Sequence, residues 1–193
     1  MSHPQVSMNN RIPVASAVGL PSPSVEAPGI PRRDVNVPMS SRGNMHPTWI
    51  ENGADVLWTT GLSDCVAVAT WDKTTGKRSL THPNAGDVTE AWASELVRGL
   101  TQDTIVIIAN GTGQSSSAYF HEHGDFANIK AKIIAALGTK PKPKFWMYFT
   151  PQPKTVARGL MMHSFVMYAN GVFGRIGPTD VAVPHNDINV IVE

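Results

Sequence analysis

Cysteine is nearly absent from this sequence: Cys65 is the only one among 193 residues. No disulfide can form within the chain, and a lone thiol fits a reducing compartment. Excess charge of either sign is also missing. The formal net charge is +1, so no general attraction to nucleic acid or an anionic membrane is expected. No apolar run approaches the ~20 residues that a helix needs to span a bilayer. The first eleven residues are polar and lack an apolar stretch, which argues against a Sec-type signal peptide.

Aromatic residues are missing from residues 1–48, which instead hold eight of the 15 prolines. The apolar residues there are isolated and follow no helix or strand period. Such a stretch buries too little surface to offset its chain entropy, and it is expected to be a disordered Pro/Ser-rich leader. From Trp49 onward the aromatics and apolar runs begin. Residues 49–193 are therefore read as one domain, a size that can carry a single core.

Within that domain the element types alternate. Residues 55–60, 65–71 and 78–82 read as strands, with a turn at Thr74-Thr75-Gly76-Lys77, so 65–82 forms a hairpin. A first helix is expected from Asp87, with Val88, Trp92, Leu96 and Leu100 on one face. TIVIIA at 104–109 is a core strand, followed by a Gly/Ser loop at 110–117. A second helix is expected from an Asp125 cap to a Gly138 stop, with Phe126, Ile129, Ile133 and Leu137 facing inward. Residues 145–149, 160–168, 172–176 and 188–192 read as strands, and Asn170-Gly171 marks a hairpin. The expected fold class is α+β: β-sandwich-like packed sheets with two helices, preceded by the disordered leader.

Three constellations could carry chemistry. Cys65 follows a Gly-containing turn and opens a buried strand. A neutral thiol needs a base, and the hairpin returns His82 to the start of the cysteine strand. His121-Glu122-His123, with Asp125 or His163, could hold a metal ion, although Asp125 reads better as a helix cap and the histidines as solvated. Asn110-Gly111-Thr112-Gly113 follows a core strand as phosphate loops do, yet it lacks the Walker lysine and the dinucleotide glycine spacing. A substrate-facing loop is the better reading of it.

The stretch TTGLSDCVAVATWDKTTGKRSLTHP resembles the CheD family of bacterial chemoreceptor glutamine deamidases. Thr59, Gly61, Leu62, Cys65, Val66, Ala67, Val68, Asp72 and His82 fall in register with that family's pattern. The same Cys–His hairpin is found in the cytotoxic necrotizing factor and Burkholderia lethal factor toxins. Ser63-Asp64 stands where the family carries Gly-Ser, and an inward Asp64 would raise the thiol pKa. The resemblance implies Cys65 as nucleophile, His82 as base and Thr59 as the residue orienting His82. It implies a cysteine-dependent amidohydrolase that converts a protein glutamine to glutamate, with no metal or cofactor required. The expected partner is a protein substrate bearing the target glutamine, with neither nucleic acid nor a membrane span involved.

The unstructured leader resembles type III secretion signals in composition. The expectation is therefore a bacterial effector or toxin, held in the bacterial cytoplasm before export and acting on a host protein. The alternatives are a chemoreceptor deamidase, another Cys–His amide hydrolase such as a peptidase or transglutaminase, and a non-catalytic binding module of the same fold. Specificity is expected from loops at 110–124 and 150–159.

Overall fold

The computed structural model describes residues 34–40, 48–50, 55–111, 116–149, 163–169, 171, 173–174 and 189–192. Its centre is the apolar strand β7 (Thr104–Ala109), every residue of which is buried. Such a strand must be covered on both faces. It pairs antiparallel with β5 (Ala67–Asp72) and parallel with β8 (Lys144–Phe149). β5 turns back into β6 (Arg78–Pro83), and β11 (Asn189–Val192) adds to β8. The outer edge of β6 receives β2 (Met39–Ser40), which runs parallel at His82–Pro83, and β3 (Thr48–Ile50), which runs antiparallel at Arg78–Leu80. A second sheet has the order β1 (Asp34–Asn36), β4 (Val56–Leu62), β9 (His163–Met167) and β10 (Phe173–Gly174).

Side-chain alternation sorts the core into two layers. Val66, Val68, Val106, Ile108, Phe145 and Met147 point to one face of the large sheet. There they meet the helices α1 (Glu90–Leu96), α2 (Ser117–Glu122) and α3 (Asp125–Leu137). Ala67, Ala69, Ile105, Ile107, Trp146 and Tyr148 point to the other face and pack on Leu57, Phe165, Met167 and Phe173 of the small sheet. The result is an α+β domain of two packed mixed sheets with helices on one outer face.

Several local expectations change. The first helix is capped by Thr89, whose hydroxyl accepts the Trp92 N–H at 3.2 Å. Asp87 ends a preceding 3-10 turn instead. Val88 and Trp92 are buried as the pattern required, but the helix ends at Leu96. Gly124, rather than Asp125, is the N-cap of α3. Its chain makes a close approach, since a Cβ there would lie 2.9 Å from Phe120 Cα. A third, short helix, α2, stands where the Gly/Ser loop was expected to end.

The expected leader at 1–48 lies mostly outside the described residues. Within 34–40, residues 34–36 and 39–40 are paired strand, so the domain includes chain before Trp49. The hairpin around Gly171 joins β9 to β10, and Gly171 has φ 79°. A side chain there would also run into the Trp71 ring at 2.4 Å.

Candidate functional site

The β5–β6 register decides where Cys65 and His82 meet. Pairing runs without slip from Val68–Thr81 to an isolated bridge between Cys65 and Asn84. His82 therefore stands opposite Ala67. Residues 65 and 67 share a face of the strand, and so do cross-strand partners. Cys65 and His82 are thus diagonal neighbours, with backbones about 7–8 Å apart, on the face turned toward the small sheet. Both are buried, Cys65 at 4 % and His82 at 2 % exposure. The hydrogen bond flanking the Cys65–Asn84 pair runs from Val66 N–H to Pro83 O at 3.1 Å. In that geometry the Cys65 N–H points away from β6.

Thr59 comes from the opposite sheet. Its hydroxyl donates to the Val37 carbonyl at 2.6 Å and lies 2.8 Å from His82 Nδ1. A hydroxyl has one proton. With that proton committed to Val37, Thr59 Oγ1 must accept from His82, so Nδ1 carries the imidazole proton. Nε2 is then left with its lone pair, and it has no hydrogen-bond partner among the described residues. Val37 is held in turn by its own N–H, bonded to Trp58 O at 2.8 Å. A relay from Val37 through Thr59 thus fixes one tautomer of His82, with Nε2 free to take a proton.

Electrostatics keep both groups neutral at rest. Burial pushes the Cys65 thiol up, and the negative charges of Asp64, Asp125 and Asp87 push it further. Burial pushes His82 down. The pair is therefore a thiol beside a neutral imidazole rather than a thiolate–imidazolium pair. Asp64 is solvent-exposed rather than inward, yet its charge still raises the thiol pKa.

Two further residues complete the surroundings: Met39, which was not singled out in the sequence, and Gly111, which was read there only as part of a substrate-facing loop. Met39 places its thioether 3.5 Å from Cys65 Sγ, which donates to it, while the residue as a whole is 58 % exposed. Gly111 lies directly under the turn that carries Cys65. A Cβ there would come within 2.3 Å of both the Ser63 and Cys65 carbonyls. The glycine was visible in the Asn110-Gly111 dipeptide, but the surface it touches was not. Met39 carried no signal, because it sits in a stretch without periodicity.

Asp72, in register with the resembled family, lies at the far end of the hairpin from Cys65. It accepts from Thr74 N–H at 3.0 Å, from Thr75 N–H at 2.8 Å, and from the hydroxyls of Thr75, Thr104 and Thr101. All its bonds go to the turn and the neighbouring strand end, which makes it a structural hub.

The histidines of the candidate metal cluster diverge. His121 stacks on Phe126 at 5.5 Å, whereas His123 lies beside Glu122 at 3.8 Å with an exposed side chain. Among the described residues no group of three or more His, Cys, Asp or Glu is arranged to hold a metal ion. The His163 side chain and residues 112–115 and 150–159 lie outside what is described. No helix among the described residues is long and apolar enough to cross a membrane. Neither a family model nor a curated protein matches the sequence.

Proposed function

We propose that this protein is a protein-glutamine deamidase in which Cys65 is the nucleophile, His82 the base and Thr59 the residue that orients it. One observation carries the reading. The Thr59 hydroxyl is committed to Val37 O, so His82 Nε2 is left unprotonated, buried and on the same face as the thiol. Most buried side-chain nitrogens have a hydrogen-bond partner, so an unpartnered Nε2 on the face of the thiol supports a chemical role. The resemblance of the Thr59–His82 stretch to CheD adds to this reading.

The mechanism uses the neutral pair. As Cys65 Sγ attacks the glutamine Cδ, His82 Nε2 takes the thiol proton. The oxyanion forms near the Cys65 N–H, which is directed away from β6. The imidazolium returns its proton to the leaving nitrogen, the C–N bond breaks, and ammonia departs. A thioester remains. Water, deprotonated by His82 Nε2, adds to it and the C–S bond breaks. Glutamate is released and the thiol recovers its proton. No metal or redox step is needed for this balance.

The protein substrate is read as a host protein, and the chain as a bacterial effector. The supporting observation is compositional, namely the Pro/Ser-rich, aromatic-free start. The test is to incubate the wild type and Cys65→Ala with eukaryotic cell extract and, separately, with bacterial receptor membranes. Peptide mass spectra are then searched for glutamines that gain about 1 Da, the exchange of NH2 for OH. Conversion by the wild type alone is expected in the eukaryotic extract. Conversion only in the receptor membranes would move the substrate to chemoreceptors. Cleaved peptides or incorporated amines would replace deamidation by another Cys–His amide chemistry.

A further inference from the structure

Met39 touches Cys65 and pairs with His82, and its chemistry matches its position. A methionine Sδ is separated from its Cα by the same number of bonds as a glutamine Cδ. Met39 Sδ lies 3.5 Å from Cys65 Sγ, which is close to the distance from which a nucleophile attacks, about 3–3.5 Å. The thioether thus stands where the carboxamide carbon of a glutamine would be attacked. It offers no electrophile, so nothing reacts.

The backbone agrees with this placement. Met39 pairs with His82 and Ser40 with Pro83, parallel to β6. Peptides are commonly bound by adding a strand to a free sheet edge, with alternate side chains entering pockets. β3 already occupies the edge at Arg78–Leu80, which leaves the His82–Pro83 stretch as the dock. The pairing of β2 covers two residues only. Pro38, just upstream, has no N–H to add to a ladder. Val37 is anchored separately to Trp58. Residues 39–40 can therefore lift about Pro38 while Val37 still receives the Thr59 hydroxyl and the His82 tautomer is kept. A solvent-exposed methionine beside a buried thiol also makes little sense as core packing, since more than half of the residue's surface remains in water.

We infer that Met39–Ser40 is a built-in pseudosubstrate strap, and that the protein substrate presents its glutamine on an extended segment that replaces it, parallel to β6, with the glutamine in the place of Met39. This rests on the deamidase reading for the chemistry, but the covering of the thiol does not.

Two measurements on the full chain separate the parts. The first is the rate at which iodoacetamide alkylates Cys65 in the wild type and in Met39→Ala. Alkylation of a covered thiol follows the fraction of open molecules, so removing the cover should speed it at least about tenfold. Because Met39 is mostly exposed, the variant is expected to fold, and an unchanged thermal midpoint serves as the control. An unchanged alkylation rate overturns the strap.

The second is the mass of the peptide spanning position 39 in Met39→Gln, with and without Cys65→Ala. The pseudosubstrate position predicts that the introduced glutamine is converted to glutamate, gaining about 1 Da, and that this happens only when Cys65 is present. Conversion that ignores Cys65 overturns the proposal. Fast alkylation of Met39→Ala, with the introduced glutamine of Met39→Gln left unconverted, overturns the pseudosubstrate placement while leaving the cover. In that case the deamidase reading is decided separately, by Cys65-dependent conversion in the extracts.

Discussion

A single hydroxyl proton governs this site. Thr59 cannot donate to both Val37 O and His82 Nδ1, and the shorter contact, 2.6 Å against 2.8 Å, is the one in which it must donate. Thr59→Ser keeps that geometry and should keep activity. Thr59→Val leaves the Val37 carbonyl and the Nδ1 proton without partners, and it should lower turnover roughly 10²-fold or more. It should also cost about 1–3 kcal/mol in urea unfolding, because two buried polar groups lose their bond. The charge at Asp64 is the second lever. Asp64→Asn removes one of the charges that hold the thiol pKa up. The pH profile of iodoacetamide alkylation should then shift to lower pH, without change in the fold by circular dichroism. An unmoved profile would leave burial and the charges of Asp125 and Asp87 as the causes.

The same shifts make stability depend on pH. His82 is held below its usual pKa, so the unfolded chain binds the proton more readily. Its contribution is present above the ordinary histidine range and is lost as pH falls through the lowered value. Cys65 is held above its usual pKa. Its contribution is present below the ordinary thiol range and is lost as pH rises through the raised value. Thermal midpoints should fall on both sides of neutrality. Cys65→Ala should flatten the alkaline side, and His82→Gln the acid side.

At the scale of elements, the hairpin that brings thiol to imidazole is pinned at its far end by Asp72. Burial pushes this carboxyl up, but the hydrogen bonds from Thr101, Thr75 and Thr74 outweigh it and the net shift is downward. The stability it contributes is present above the ordinary aspartate range and lost as pH falls through the lowered value. Asp72→Ala should destabilise by a few kcal/mol, because several donors lose one acceptor. The folded fraction should retain its Cys65 alkylation rate, which separates a structural hub from a catalytic group. Gly111→Ala should do the reverse. Its methyl would meet two carbonyls of the turn that carries Cys65, so the turn must move, and the proposed turnover should fall more than stability does. The hairpin was legible from β-branched runs around Thr74–Lys77. The caps were less so: Thr89 and Gly124 won over Asp87 and Asp125, because a cap is chosen by where the chain turns, and neighbours three residues away do not reveal that.

At the scale of the whole molecule, the site lies between the sheets. The large sheet supplies Cys65 and His82, and the small one supplies Thr59 together with the segment carrying Val37. Their joint depends on aromatic packing, with Phe165, Phe173 and Tyr148 within 5.3–6.1 Å of one another by ring centroids. Phe165→Ala should cost about 3–5 kcal/mol by denaturant titration. Since it loosens the sheet that carries Thr59, it should lower activity in molecules that remain folded. A variant on the helix face such as Ile133→Val should cost only about 0.5–1.5 kcal/mol and leave activity unchanged.

The alternation of Val66 and Val68 with Ala67 and Ala69, and the apolar run at 104–109, were enough to establish buried strands and an α+β class, because side-chain periodicity is a property of neighbouring residues. The Cys65–His82 hairpin was local in the same sense, seventeen positions apart along one turn. The partnership of Thr59 was implied by resemblance, and its chemistry became readable only when two sheets met and Val37 took the hydroxyl proton. The contacts of Met39 and Gly111 with the Cys65 turn belong wholly to the folded chain. One approaches Cys65 from 26 residues upstream and the other supports it from 46 downstream, and contacts between separate sheet edges and loops leave no periodic trace in the sequence that makes them.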